Sequence, residues 1–291
     1  MKLTERTPRS QTKLPSEPYD RWVAPEGQCM AEFHRTEDGF LVRFPGQADF
    51  LITAPSDPEH TTITSWQAPD CSRQNAANLY HNAILPILGN HTGGLFLHGS
   101  AVRLSCGNAD AGAVAFLGLS RGGKTTLAGS FAKAGYPFLT EDVIDLQLRD
   151  GTYWLQPKRS KLRLFVDSAQ HLLGEDTDFA DPNAKQDVEA GAALPFGDEP
   201  VPLCQIYVLG TDHQADLSIR RSSLQEALGS VMPHAFILDV EDKLRLRQHF
   251  TRLADLTRDI GCYALDYRRE YGELPSVQRE ILENFSREVA D

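Results

Sequence analysis

Residues 118–125 carry the motif that most directly predicts chemistry. Their sequence, GLSRGGKT, fits the pattern GxxxxGK[ST] of a phosphate-binding loop. In such a loop the glycines let the backbone curl so that successive amides face an anion, and the following helix directs its N-terminus at the same charge. Lys124 is expected to reach the outer phosphates, and the Thr125 hydroxyl is expected to bind Mg²⁺. The residues expected to hold a nucleotide are Gly118, Ser120, Arg121, Gly122, Gly123, Lys124, Thr125 and Thr126.

The sequence on either side of this motif argues against a chance match. Residues 113–117 (AVAFL) form the apolar run of a buried strand. From Thr125 to Ala134 the pattern is helical, and Gly135 follows as a stop. A strand that enters the loop and a helix that leaves it are the context that a phosphate-binding loop requires.

Two adjacent acids, Glu141 and Asp142, follow this helix after the short apolar run 136–140. A carboxylate at the end of a strand beside a phosphate-binding loop is where a metal-binding or catalytic acid is expected. Taken alone, the pair fits a solvated turn equally well. The neighbouring motif favours the functional interpretation.

The composition sets limits on the class of protein. The chain has 291 residues, 41% of them hydrophobic and 24% charged, as in a soluble globular protein of one large or two smaller domains. Its net charge of −11 argues against nucleic acid as a partner. No apolar run approaches the roughly 20 residues that cross a bilayer, so no membrane partner is expected. The five cysteines form no CxxC pair and predict no zinc site, which makes the cytoplasm the expected compartment.

The chain is expected to divide into three parts. Residues 1–20 are predicted to be a flexible arm, residues 21–90 a small, mostly β region with a helix over 73–84, and residues 91–291 an α/β domain that contains the loop. The predicted strands at 95–104 and 113–117 are joined by a short turn and should form an antiparallel hairpin, so the sheet should be mixed. Other predicted elements are strands at 143–148, 153–155, 206–209 and 263–265, a last helix over 275–287, and a long mobile loop over 174–200.

These residues resemble the HPr serine kinase/phosphorylase family. In that family a His-Gly strand, a short hairpin, a phosphate-binding loop, a helix and an acidic pair follow in the order seen here over residues 91–150. Segments 161–168, 202–209 and 263–267 resemble related proteins of biosynthetic clusters, some of which phosphorylate a serine of a lasso-peptide precursor. The resemblance implies a P-loop fold of the phosphoenolpyruvate-carboxykinase type, with ATP and Mg²⁺.

The resemblance also implies roles for the site residues. Lys124 and the loop amides would hold the transferred phosphate, Thr125 and Asp142 would bind Mg²⁺, and Glu141 would accept the proton of the attacking hydroxyl. The two acids can exchange roles. His98 stands where the family has a histidine near the phosphates, although a packed strand histidine fits the sequence equally well. Two departures from the family are Glu141, where the first acid is usually Asp, and Thr126, where HPr kinases have Glu.

A basic run, Arg159, Lys161 and Arg163, precedes an acidic segment that contains Lys185. These four side chains are candidates to clamp phosphate, and a solvated strand face is the alternative for the run. The function expected from the whole sequence is a kinase acting on a serine hydroxyl of a peptide or small protein. The alternatives are a kinase of an amino acid or sugar and a catalytically weak nucleotide sensor. A homo-oligomer is possible in each case.

Overall fold

The computed structural model describes residues 1–24, 27–105, 112–174 and 185–290. The chain divides into two compact units. Met1–Gly94 and Phe236–His249 form the first unit, and Leu95–Ala235 and Phe250–Asp291 form the second. The boundary at Gly94 lies close to the expected one at residue 90. The chain also returns to the first unit at Phe236, which the sequence analysis does not predict.

A six-stranded sheet forms the first unit, in the order β1-β6-β5-β4-β3-β2. Strands β2 to β6 are antiparallel neighbours, and β1 pairs parallel with β6. Alternate side chains such as Phe33, Val42 and Ile63 are fully buried, as in a sheet with one face against a core. The strands are β1 (Lys2–Arg6), β2 (Asp20–Val23), β3 (Cys29–Thr36), β4 (Gly39–Phe44), β5 (Ala48–Thr53) and β6 (Thr62–Gln67).

Strand β1 corrects the prediction of a flexible arm over residues 1–20. Four of its five residues are polar, but its backbone pairs with β6 along the whole of Lys2–Arg6. Because these pairs are made by backbone groups, a strand can add to a sheet edge without the apolar pattern that predicts a buried strand. The helix predicted over 73–84 also runs further. It comprises α1 (Arg73–Leu79), a π-helical turn (Tyr80–Ile84) and α2 (Leu85–His91), and the wider turn precedes Pro86, which an α-helix interior would not accommodate.

The second unit contains a mixed sheet of eight strands, in the order β11-β10-β7-β8-β14-β16-β15, with β9 paired to β7. The predicted hairpin is confirmed, since β7 and β8 are antiparallel. Strands β8, β14 and β16 run parallel to one another. The strands are β7 (Leu95–Leu104), β8 (Gly112–Leu117), β9 (Phe138–Thr140), β10 (Val143–Arg149), β11 (Thr152–Gln156), β12 (Lys161–Leu164), β13 (Gln186–Glu189), β14 (Val201–Leu209), β15 (Ser218–Arg221) and β16 (Gly261–Asp266); β12 and β13 pair only with each other.

Apolar clusters lie on both faces of this sheet. Val114 and Phe116 of β8 lie in one cluster, together with Phe131 of α3 (Lys124–Lys133), and Ala115 and Leu117 lie in the other. Successive side chains of β8 thus point to opposite faces of the sheet, and helices cover both faces, as in an α/β domain. The helices are α3 (Lys124–Lys133), α4 (Val166–Leu173), α5 (Leu224–Val231), α6 (Lys243–Asp259) and α7 (Leu274–Ala290), with short 3-10 turns at Met232–His234 and Tyr271–Glu273. In the described part of the chain, no helix is both long and apolar enough to cross a membrane.

The predicted loop over 174–200 is partly regular structure. Residues 175–184 lie outside the described residues, but β13 pairs with β12. Opposite charges face each other across this pair: Lys161 lies 2.6 Å from Glu189, and Arg163 lies 3.5 Å from Asp187. The acidic residues that predicted a solvated loop therefore stabilise a strand pair, because the basic run lies opposite them.

Candidate active site

The parallel strands β8, β14 and β16 bring three chain segments to one edge of the sheet, since the carboxyl ends of parallel strands meet there. Gly118 follows β8, Gly210 follows β14, and Tyr267 follows β16. A cavity of about 710 Å³ lies at this edge, within the size range of ligand pockets. Its lining consists of His98, Ser120, Arg121, Gly122, Gly123, Lys124, Thr125, Thr126, Asp142, Arg163, Leu164, Phe165, Asp167, Ser168, Lys185, Tyr267, Arg269, Glu270, Tyr271 and Leu274.

The loop between β8 and α3 turns tightly. The Gly122 amide donates to the Leu119 carbonyl over 3.1 Å. Arg121 and Gly123 have left-handed backbone conformations, with φ of +62° and +91°. A side chain at position 123 would be strained, which explains the glycine that the motif requires. Helix α3 then begins at Lys124 with its N-terminus at the cavity.

Lys124 is 7% exposed, and its ammonium group is held by the loop. Its Nζ donates to the carbonyls of Gly118 and Leu119, each over 2.9 Å. Burial and the nearby Lys185 lower the pKa of Lys124 to about 8, although Asp142 and Glu141 oppose the shift. Burial disfavours the charged form of Lys124, so an anion bound in the cavity would stabilise the ammonium group.

Strand register brings the acidic pair to the loop. Gly99 of β7 pairs with Leu117, the last residue of β8, and His98 pairs with Val143. Glu141 and Asp142 lie just before Val143, in the connection between β9 and β10. The Thr125 hydroxyl donates to Oε1 of Glu141 over 3.1 Å. Of the two acids, Glu141 is buried behind Thr125, and Asp142 lines the cavity.

The environments of the two acids separate their pKa values. Burial, followed by the charge of Asp142, raises the pKa of Glu141. Burial would also raise the pKa of Asp142, but Lys185, His98 and Arg163 together hold it below its usual value. When two coupled acids share a site, the group with the lower pKa ionises first. These directions favour ionisation of Asp142, which lines the cavity, before ionisation of Glu141.

Basic side chains surround the acidic pair. Lys185 Nζ lies 3.5 Å from Glu141 and 3.9 Å from Asp142, and Arg163 Nη1 lies 3.6 Å from Asp142. The buried Nε of Arg163 makes no hydrogen bond within the described residues. Five basic and three acidic side chains line the cavity. The cavity thus has a positive excess in a chain whose net charge is −11.

The structure brings most of the predicted site residues together. All the predicted loop residues from Ser120 to Thr126 line the cavity, and so do His98, Asp142, Arg163 and Lys185. Gly118 and Glu141 are bonded to residues that line it. Two members of the basic run do not line it: Lys161 pairs with β13, and Arg159 lies elsewhere. The clamp predicted for the run is therefore reduced to Arg163.

His98 lines the cavity as a neutral imidazole. Burial, followed by the charge of Lys124, lowers its pKa to about 4. Its Nδ1 lies 2.9 Å from the backbone carbonyl of Asp142. A carbonyl only accepts, so Nδ1 carries the ring proton. This bond fixes the ring beside Asp142, whose own φ is +66°.

Among the residues that line the cavity, Asp167, Ser168, Arg269 and Tyr271 were not predicted as site residues. Thr126 and Ser168 bond through their hydroxyls over 3.0 Å, Ser168 and Tyr271 over 3.2 Å, and the Tyr271 hydroxyl donates to Asp167 over 2.8 Å. Arg269, just after β16, contacts the loop itself. The carboxyl ends of parallel strands meet at one edge of a sheet. If the sequence had shown that β8, β14 and β16 are parallel, this rule would have indicated the residues that follow β16.

The oxygen atoms of Thr125, Glu141 and Asp142 fit a magnesium ion. Mg²⁺ takes hard oxygen ligands and is usually held by one or two carboxylates together with substrate phosphates and water. Burying two carboxylates together raises the pKa of Glu141, and a divalent cation would relieve that cost. Within the described residues no group of three His, Cys, Asp or Glu side chains forms a closed metal site.

Comparisons with known proteins give little beyond this geometry. No family model matches the chain. No curated protein matches it either. Among solved structures the chain is similar to the HPr(Ser) kinase/phosphatase from Coxiella burnetii, with 11% identity and a TM-score of 0.37 over 66% of this chain and 90% of that one.

Proposed function

We propose that the chain is an ATP- and Mg²⁺-dependent phosphotransferase that moves a phosphoryl group to a serine hydroxyl of a peptide or small protein. One observation carries the proposal. A loop of the GxxxxGK[ST] type, with its lysine, lines the same cavity as the carboxyl group of Asp142. Phosphoryl transfer needs a phosphate cradle and a proton acceptor side by side, and little else from the protein.

The donor's phosphates bind at the loop and at the N-terminus of α3. Lys124 leaves the carbonyls of Gly118 and Leu119 and pairs with the outer phosphates. Arg163 and Lys185, which lie within 4 Å of Asp142, add positive charge to the cavity. Because these cations already lie at the cavity, charge that develops on the phosphates is stabilised with little reorganisation.

The Thr125 hydroxyl and the Glu141 carboxylate, which already contact each other, would hold Mg²⁺. The ion, when bound, neutralises phosphate charge. Glu141 is hydrogen-bonded to Thr125, and its raised pKa favours a protonated carboxyl group, which has no free site for a second proton. Binding of Mg²⁺ would displace that proton and make the carboxylate a ligand.

Asp142 acts as the general base. Its carboxylate takes the proton of the serine hydroxyl as the serine oxygen bonds to the γ-phosphorus. The bond from that phosphorus to the β–γ bridging oxygen breaks, and ADP leaves. This assignment exchanges the roles that the resemblance implied for the two acids, because Asp142 lines the cavity and Glu141 does not. The neutral His98 fixes the backbone of Asp142 through its carbonyl.

A transfer assay tests the proposal. Radiolabelled ATP with Mg²⁺ is offered with serine-bearing peptides and with free serine, using the wild type, Lys124→Ala, and Lys133→Ala as the matched control. Lys133 lies on the same helix and bonds the His171 carbonyl outside the cavity. Label on a peptide, lost only in Lys124→Ala, is the expected result.

The other outcomes of this assay identify the alternatives. Label on free serine alone would make the protein a small-molecule kinase. Tight ATP binding without transfer to any acceptor would make it a nucleotide sensor. Transfer that persists in Lys124→Ala would place the chemistry away from this loop.

A further inference from the structure

Arg269 ties together three segments of the cavity edge. Its Nε donates to the Gly122 carbonyl over 3.1 Å, its Nη2 to the Gly210 carbonyl over 2.8 Å, and its Nη1 to the Tyr267 carbonyl over 2.6 Å. The guanidinium also stacks on the Tyr267 ring, with its Cζ 3.8 Å from the ring centre. One side chain thus joins the loop after β8 to the chain after β14 and after β16.

The bond to Gly122 acts on the most easily rotated peptide of the loop. The peptide between Gly122 and Gly123 is flanked by two glycines, which have the widest backbone freedom of all residues. In a trans peptide the carbonyl and the next amide point in opposite directions. Whatever holds the Gly122 carbonyl therefore also fixes the direction of the Gly123 amide.

The structure points to a role for this contact, and we propose that Arg269 is a positioning residue that holds the Gly122–Gly123 peptide so that the Gly123 amide stays oriented for a phosphate. The phosphate ligand in this inference rests on the proposed function. The anchoring of the peptide rests only on the contacts that Arg269 makes. Arg269 acts through the loop backbone, and three of its N–H donors are already engaged by carbonyls.

The neighbouring arginine offers a matched control. Arg268 has the same side chain one residue away, but its contact is with Asp216, over 3.4 Å, and it does not line the cavity. The variants are Arg269→Ala, Arg269→Lys and Arg268→Ala. Lysine keeps the charge and much of the stem, but a single ammonium group cannot reproduce the planar fork that reaches three carbonyls.

The first measurement is amide hydrogen exchange of the ligand-free protein in peptides that cover residues 118–124. We expect exchange there to be about tenfold faster or more in Arg269→Ala, intermediate in Arg269→Lys, and unchanged in Arg268→Ala. Peptides from α7 and from the first unit should exchange alike in all variants. A general loss of folding would accelerate exchange everywhere, so this pattern separates positioning from a merely structural role.

The second measurement is steady-state kinetics with MgATP. We expect the KM for ATP to rise by about tenfold to a hundredfold in Arg269→Ala, while kcat at saturating ATP changes by less than about threefold. Unchanged exchange in the loop of Arg269→Ala would overturn the inference. If ATP binding were lost while loop exchange stayed unchanged, Arg269 would contact the phosphate directly and would not act through the loop. Faster exchange in a protein whose wild type neither binds nor turns over ATP would support the anchoring and overturn the proposed function instead.

Discussion

The Thr125 hydroxyl donates to Oε1 of Glu141 over 3.1 Å, and this bond joins the first turn of α3 to the connection between β9 and β10. The two residues are sixteen positions apart, and each is held by a separate element. A hydroxyl that already contacts a carboxylate needs little movement to share a cation with it. The two oxygens proposed to bind Mg²⁺ therefore already lie together in the ligand-free protein.

Lys124→Ala should lower the rate of phosphoryl transfer by about a hundredfold or more, because it removes a charge aimed at the phosphates in a poorly solvated site. The measurement is transfer from radiolabelled ATP at saturating peptide. Lys133→Ala, on the outer side of the same helix, should keep the wild-type rate. Equal rates for the two variants would remove Lys124 from the mechanism.

Asp142→Asn and Glu141→Gln should have different effects, although each replaces a carboxyl group by an amide of the same size. We expect Asp142→Asn to lower kcat by about a hundredfold to ten-thousandfold with little change in ATP affinity, as for loss of a general base. Glu141→Gln should instead raise the Mg²⁺ concentration for half-maximal activity by about tenfold. Rates measured over a series of Mg²⁺ concentrations distinguish the two, and the opposite pattern would return the base role to Glu141.

The pH profile should fall on its alkaline side. The pKa of Lys124 in the ligand-free protein is about 8, below the ordinary value for lysine, because the side chain is buried. As pH rises through this value Lys124 loses its proton, and kcat/KM for ATP, which reports the free protein, should fall about tenfold per pH unit. The arginine in Lys124→Arg stays protonated, so kcat/KM for ATP in this variant should not change with pH from 7 to about 10. A wild-type profile that is flat over the same range would contradict the buried, easily deprotonated lysine.

Phe131→Ala should destabilise the second unit by about 3–5 kcal/mol, because it leaves a cavity in a closely packed cluster. Phe131 is fully buried on α3 and stacks on Phe116 with ring centres 5.8 Å apart. The check is the midpoint of urea unfolding. A shift no larger than that of the exposed substitution Lys133→Ala would show that α3 does not depend on this contact.

The sequence was sufficient to predict the core of the site, because that core is local. The strand, the loop and the helix that starts at Lys124 are consecutive in the chain, and Glu141 and Asp142 follow only one short strand later. The hairpin of β7 and β8 was predicted for the same reason: its turn is short. Patterns over about 50 residues were enough for these elements.

What the sequence did not predict depends on pairing between distant segments. Arg269 lies beside Gly122 because β14 joins β8 on one side and β16 on the other, a parallel arrangement with no local signature. The acidic segment with Asp187 and Glu189 was interpreted as a loop because its partner strand lies more than 20 residues earlier. A charged segment considered alone indicates exposure to solvent. It indicates strand pairing only once the oppositely charged partner strand is known.

Strand β11 pairs with β10 on one side and with β14 on the other, so that β14, β8, β7, β10 and β11 form a closed ring. A strand that is paired on both sides offers fewer free backbone donors and acceptors, which are the template for intermolecular strand addition. The strand path ends outside the ring at β15, which is four residues long and carries Arg220 and Arg221. Short, charged edge strands resist such pairing. Because β15 is an end of this strand path, substitutions that make it neutral and apolar should promote aggregation through this edge.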